Sequence, residues 1–153
     1  CPGQIVISGK AEAVEQAAGL LKEAGAKRVL PLKVSGPFHS PLLEEAGEKL
    51  AEVLAPCELS ELKIPYISNT LAEPVTDKTK IKDLLTRQIS SPVRWRESME
   101  ELIREGVGTF IEIGPGKTLS GFLKKIDRNA VVYSIQTMED LEKTVELLKG
   151  RNL

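Results

Sequence analysis

Histidine occurs once in the 153 residues, cysteine twice, and no apolar run approaches the roughly 20 residues that a membrane span needs. Each scarcity removes a class of function. Cys1 and Cys57 stand far apart in no CxxC pair, and with a single histidine they offer too few soft ligands for zinc. They read as free thiols of a reducing, cytoplasmic compartment. No signal peptide is recognisable. Net charge is also scarce: 21 basic against 22 acidic side chains leave a formal -1, so nothing pulls the chain as a whole toward nucleic acid or an anionic membrane. The GxSxG elbow of hydrolase-like enzymes occurs nowhere. Gly114-Pro115-Gly116-Lys117-Thr118 is not a Walker A loop, because Ile111 occupies the place of its first glycine. No metal and no bound cofactor is expected.

What is present is alternation of strand and helix signals. Ile5–Gly9 reads as a strand, Ala11–Ala24 as a helix closed by Gly25, and Lys27–Val34 as an edge strand interrupted by Pro31. Ser40-Pro41 opens a helix with one apolar face that runs to Ala55. Ile64–Asn69 is strand-like, and Thr76 or Asp77 can cap a helix from Lys80 to about Gln88. Then come helix Trp95–Glu105, strand Thr109–Ile113, helix Lys117–Ile126, strand Ala130–Ile135 and helix Thr137–Lys149. This order predicts an α/β fold with a mostly parallel sheet.

His39 is the most informative side chain. It lies in the Ser35–His39 loop immediately before the helix that Ser40 opens. A helix N-terminus disfavours a cation, so the ring is expected to stay able to accept a proton, as a general base must. A histidine that merely packs or caps would occupy the same position. Paired carboxylates such as Glu44/Glu45 and Glu100/Glu101 read as solvated helix faces, and Ser120 in TLSGF sits inside a helix without the glycine of an elbow.

Taken together, CPGQIVISG (1–9), AGAKRVLPLKVSGPFHSPLL (24–43), ISNT (67–70), RQISSPVRW (87–95) and EIGPGKTLSGFLKKI (112–126) resemble the malonyl-CoA:acyl-carrier-protein transacylases of fatty acid synthesis. The resemblance implies that His39 is the catalytic base. It implies that the backbone carbonyl of Gln88 accepts from the other ring nitrogen, and that Gln4 lines the acyl pocket. The family's serine nucleophile, its carboxylate-binding arginine and its oxyanion-hole glutamine have no counterpart here. The chain, which opens on Cys1 and not on methionine, is therefore expected to be the C-terminal half of a longer enzyme, with the missing N-terminal half as its partner. In the related acyltransferase domains of polyketide synthases a four-residue signature ends at the histidine. Here it reads Gly36-Pro37-Phe38-His39, and a bulky Phe38 is expected to favour malonyl over methylmalonyl.

The implied fold is the C-terminal part of an α/β-hydrolase-like acyltransferase core, residues 35–153, preceded by the end of an inserted ferredoxin-like subdomain, residues 1–34. CoA and phosphopantetheine would enter only as substrate carriers. An acidic acyl carrier protein would be the protein partner, with Lys117, Lys124, Lys125 and Arg128 as candidate docking side chains, although a solvated helix face accounts for them equally. The chain alone is expected to be inactive, and to be poorly soluble or self-associating. The competing readings are a non-catalytic module that binds carrier protein or CoA, and an acyltransferase domain of a polyketide synthase.

Overall fold

The computed structural model describes residues 1–150; the last three positions of the 35–153 segment lie outside the described residues. The elements in order are α1 (Ala11–Glu23), a 3-10 turn at Pro41–Leu43, α2 (Glu44–Leu54), β1 (Tyr66–Ile67), β2 (Pro74–Val75), a 3-10 turn at Lys78–Lys80, α3 (Ile81–Gln88), α4 (Trp95–Arg104), β3 (Thr109–Ile113), α5 (Thr118–Ile126), β4 (Val131–Ile135) and α6 (Met138–Lys149). The mixed α/β class holds, but in place of one mostly parallel sheet the described residues form two two-stranded sheets, β1–β2 antiparallel and β3–β4 parallel.

The chain divides into two compact units, Val6–Arg94 and a second made of Cys1–Ile5 with Trp95 onward. In the second unit β3 and β4 pair in parallel, from Thr109 opposite Val131 to Ile113 opposite Ile135, with α5 as the crossover between them. Their shared core is Met99, Leu123 and Ala130, surrounded by Trp95, Leu102, Ile103, Phe110, Ile126 and Val132. Local signals explain these elements. Thr137 accepts from the Asp140 amide while the Asp140 carboxylate accepts from the Thr137 amide, a reciprocal cap that starts α6 where the sequence places it.

In the Val6–Arg94 unit, α1 ends as expected. Gly25 takes φ +91°, and the Ala26 amide donates back to the Leu21 carbonyl at 2.9 Å, a closure that needs the left-handed region glycine enters freely. The two flanking strands do not form. Residues 5–9 and 27–34 carry no ladder, and Ile5, Val6, Leu30, Leu32 and Val34 are each at least 60% exposed. Composition gives a segment strand propensity, but a strand exists only with a partner, and Pro31 removes one donor besides. The Ile64–Asn69 strand shrinks to Tyr66–Ile67, paired antiparallel with Val75 and Pro74. The expected helix from Ser40 is also modified. Ser40 introduces only a 3-10 turn, α2 begins at Glu44, and the serine hydroxyl makes no cap hydrogen bond to that helix.

Helices α2 and α3 pack closely because of one glycine. A Cβ on Gly47 would lie 3.1 Å from the Thr86 carbonyl oxygen, so a side chain there would force the two helices apart by a few tenths of an ångström. That approach lies between the first turn of α2 and the last turn of α3.

Candidate functional site

His39 and Gln88 meet at the two ends of that helix pair. Four features fix the histidine from its own side. Its backbone is left-handed, φ +57°, an uncommon state for a residue other than glycine. The hydroxyl of buried Ser40 donates to the Pro37 carbonyl at 2.6 Å and closes the turn around it. The Leu43 amide donates to the Ser40 carbonyl at 3.0 Å. Pro37 adds a fixed φ of its own. A conformation costing about 1–3 kcal/mol persists only where its surroundings over-determine it, and such residues cluster at functional sites.

Nδ1 of His39 lies 3.0 Å from the Gln88 carbonyl oxygen. A backbone carbonyl can only accept, so this hydrogen bond requires the proton on Nδ1 and leaves the Nε2 lone pair available. The acceptor is available for a structural reason. Gln88 is the last residue of α3, where carbonyls run out of helical partners. The Ile89 and Ser90 amides take the Thr86 and Arg87 carbonyls, at 3.2 and 3.3 Å, and the Gln88 oxygen remains for the imidazole. The His39 ring therefore faces the C-terminus of α3, and the α-helix expected directly after Ser40 starts only at Glu44, five residues beyond the histidine.

The Gln88 side chain is engaged as well. Asn69 Nδ2 donates to Gln88 Oε1 at 3.2 Å, and the Asn69 carbonyl accepts from the Arg94 amide at 2.9 Å. Phe38 is 51% exposed, and a Cβ on Gly36 would meet its ring at 3.8 Å. Gln4 belongs to the other compact unit; it is exposed, with its side-chain oxygen 3.7 Å from the Cys1 sulfur. The structure thus brings His39, Phe38 and Gln88 into one unit. Asn69 and Gly47 were given no role from the sequence. Asn69 lies within the ISNT match, whereas a glycine inside an amphipathic helix signals only lost helix propensity.

The GPGK segment has a different role. The Glu112 carboxylate accepts from the amides of Leu119 and Ser120, at 3.1 and 2.9 Å, and from the Ser120 hydroxyl. The hydrogen bond from the Ser120 hydroxyl, with those two amides, holds the Glu112 carboxyl below its ordinary value. The start of α5 is therefore occupied by the chain's own anion, and the Gly116 amide is taken by Gln136 Oε1 at 2.8 Å. The segment is a turn feeding a helix. Of the basic side chains on α5, Lys124 is committed to the carbonyls of Arg128 and Ala130, at 3.1 and 2.7 Å. Lys125 lies over the Phe122 ring. Among the described residues no group of three or more His, Cys, Asp or Glu side chains could hold a metal ion, and no helix is long and apolar enough to cross a membrane.

Comparison with known proteins gives one answer. The family described as "Acyl transferase domain" matches residues 1–143. The malonyl CoA-acyl carrier protein transacylase of Bacillus subtilis (strain 168) is 53% identical over 152 residues, covering 99% of this chain and 48% of the relative. The crystal structure of the Streptococcus pneumoniae enzyme of that type superposes with a TM-score of 0.85 at 49% identity, over 90% of this chain and 45% of that one. A type II polyketide synthase acyl-carrier protein in complex with its malonyl-transacylase contains a chain that superposes equally, TM-score 0.85 at 38% identity, with 90% and 45% covered. The chain spans about half the length of the relatives it matches.

Proposed function

This chain belongs to the acyl transferase domain family, and from that premise we propose that it supplies the histidine half of a malonyl-CoA:acyl-carrier-protein transacylase. The observation that carries the reading is the His39–Gln88 hydrogen bond, which leaves Nε2 as a base. An upstream segment would supply the serine nucleophile, the arginine for the malonyl carboxylate and the oxyanion-hole donors.

The reaction runs in two halves. His39 Nε2 takes the serine proton as the serine oxygen attacks the malonyl thioester carbon. The C–S bond breaks, the CoA sulfur takes that proton from the imidazolium and leaves as the thiol, and malonyl remains on serine as an ester. Next, Nε2 takes the proton of the phosphopantetheine thiol, the sulfur attacks the ester, and the serine oxygen departs and regains its proton. In each half the Gln88 carbonyl keeps the ring in one tautomer and gives its developing positive charge an adjacent acceptor. A carbonyl stabilises an imidazolium less than a carboxylate does, and a thioester, with its good leaving group, tolerates the weaker partner.

Phe38, one residue before the base, is the proposed specificity residue, crowding an α-methyl branch. Gln4 is the proposed acyl-pocket residue. Residues 1–34 are the end of a ferredoxin-like subdomain and 35–153 the rear of a hydrolase-like core. The likeness to the transacylase structures over about nine-tenths of the chain supports the acyltransferase fold as a whole, and the division at residue 34 is part of the proposal. A cytoplasmic setting and an acyl carrier protein partner belong to the same proposal.

The test is malonyl transfer from malonyl-CoA to holo acyl carrier protein, with the 153-residue chain and the full-length protein carrying it assayed side by side. An active full-length protein that loses transfer on His39→Ala, beside an inert 153-residue chain, is the expected result. Transfer by the chain alone would overturn the assignment of the nucleophile to an upstream segment.

A further inference from the structure

We propose that Asn69 is a positioning residue for the base, acting on His39 through Gln88; the inference rests on the reading of His39 given above. The weak point of a base oriented by a backbone carbonyl is that the carbonyl sits at a helix terminus. Helix ends fray, and the segment that follows, residues 89–94, has no regular structure beyond its turn. Something must hold the last peptide of α3 against a ring that needs its acceptor in one place.

The turn between β1 and β2 does this. It is stiff: buried Ser68 donates its amide to the Glu73 carbonyl at 3.1 Å and accepts from the Ala72 amide at 2.7 Å, with its hydroxyl 2.8 Å from that of Thr70. Buried Ala72 takes φ +58° to close the loop. From this platform three hydrogen bonds reach across to α3 and the segment behind it. Asn69 Nδ2 holds Gln88 Oε1 at 3.2 Å, the Asn69 carbonyl holds the Arg94 amide at 2.9 Å, and the Leu71 carbonyl holds Arg94 Nη1 at 2.9 Å. Residues 89–93 are pinned at both ends, and the pin at the front end is the side chain of the residue whose carbonyl faces His39. Asn69 suits the task because one short side chain donates to Gln88 while its own backbone carbonyl holds Arg94.

The chain Asn69–Gln88–His39 makes a coupling prediction that a merely structural asparagine does not. The test uses the full-length protein labelled with 15N-histidine, the His39 signals being identified by their loss in His39→Asn. In the parent, Nδ1 should read as the protonated nitrogen and Nε2 as the bare one. Asn69→Ala should move both signals toward the tautomer mixture of a free imidazole. It should also lower kcat for malonyl transfer by about ten- to a hundredfold while KM for malonyl-CoA stays within about twofold. Gln88→Ala, which keeps the carbonyl and removes Oε1, should do the same, and the double variant should be no worse than either single one. Asn69→Asp should recover most of the activity, since the Gln88 amide can turn and donate to the new carboxylate.

Unchanged imidazole signals in Asn69→Ala, or losses that multiply in the double variant, would overturn the proposal. A full-length protein without malonyl transfer would overturn the transacylase reading instead, and the imidazole signals would still decide whether Asn69 positions the ring.

Discussion

Nδ1 of His39 and the carbonyl oxygen of Gln88 stand 3.0 Å apart although 49 positions separate them in the chain. The pair depends on two packing facts, a left-handed residue at one end and a helix contact without a side chain at the other. Both can be tested by thermal stability.

Asparagine enters the left-handed region more readily than histidine or alanine does. His39→Asn should therefore leave the thermal midpoint unchanged or raise it, while removing the proposed base and lowering malonyl transfer by the full-length protein about 10²–10⁴-fold. His39→Ala keeps the backbone penalty and loses the ring contact, so it should be the less stable of the two by about 1 kcal/mol. Calorimetry of both variants beside an activity assay checks this. A marked loss of stability in His39→Asn would show that the ring, and not the Ser40 clamp, holds the turn.

Gly47 controls the second fact. Gly47→Val places a branched side chain where a Cβ already meets the Thr86 carbonyl at 3.1 Å. The expected cost is about 1–3 kcal/mol, with α2 displaced from α3 and the His39–Gln88 distance lengthened. Glycine inside a helix is disfavoured by about 1 kcal/mol relative to alanine, so a variant as stable as the parent would contradict the close-approach argument.

These two residues also show where the sequence was legible. The segment from α4 to α6 was readable nearly to the residue because its signals are local: helical periodicity, the Thr137 cap, glycine after a last turn. Strands at 5–9 and 27–34 were expected and are absent, since β-branched composition states a preference that only a partner can satisfy. The approach of residue 39 to residue 88 was available only through resemblance to a family; no periodicity spans such a separation. Gly47 and Asn69 answer to atoms on other elements, the Thr86 carbonyl and the Gln88 amide, and nothing next to them in sequence announces either. The GPGK turn misleads in the opposite sense, since the anion its helix receives is Glu112, two residues before the first glycine.

Ser40 tests the clamp itself. Its hydroxyl is buried and donates to Pro37, so Ser40→Ala leaves the Pro37 carbonyl without that donor. A loss of about 1 kcal/mol is expected, with faster hydrogen exchange at the amides of the turn. Ser40→Thr retains the donor and should preserve activity better than Ser40→Ala; equal losses would mean that the volume at position 40 matters and the hydrogen bond does not.

Glu112 and Asp140 give the chain a signed dependence on pH. The Ser120 hydroxyl, together with the amides of Ser120 and Leu119, holds the Glu112 carboxyl below its ordinary value. The Gln136 amide, followed by the Thr137 hydroxyl and amide, does the same for Asp140. A group whose folded pKa is lowered stabilises the fold fully above its unfolded value, and that contribution disappears as the pH falls through the lowered folded value. Acid should therefore destabilise this unit below the ordinary carboxylate range and leave it unaffected near neutrality. Replacing Glu112 by glutamine keeps an oxygen to accept one amide and removes the charge. Glu112→Gln should lower the thermal midpoint at neutral pH and flatten its fall as the pH drops below the ordinary carboxylate range, so that the two curves converge in acid. Parallel curves, separated by the same interval at every pH, would show that the carboxylate caps α5 by shape alone and that its charge contributes nothing.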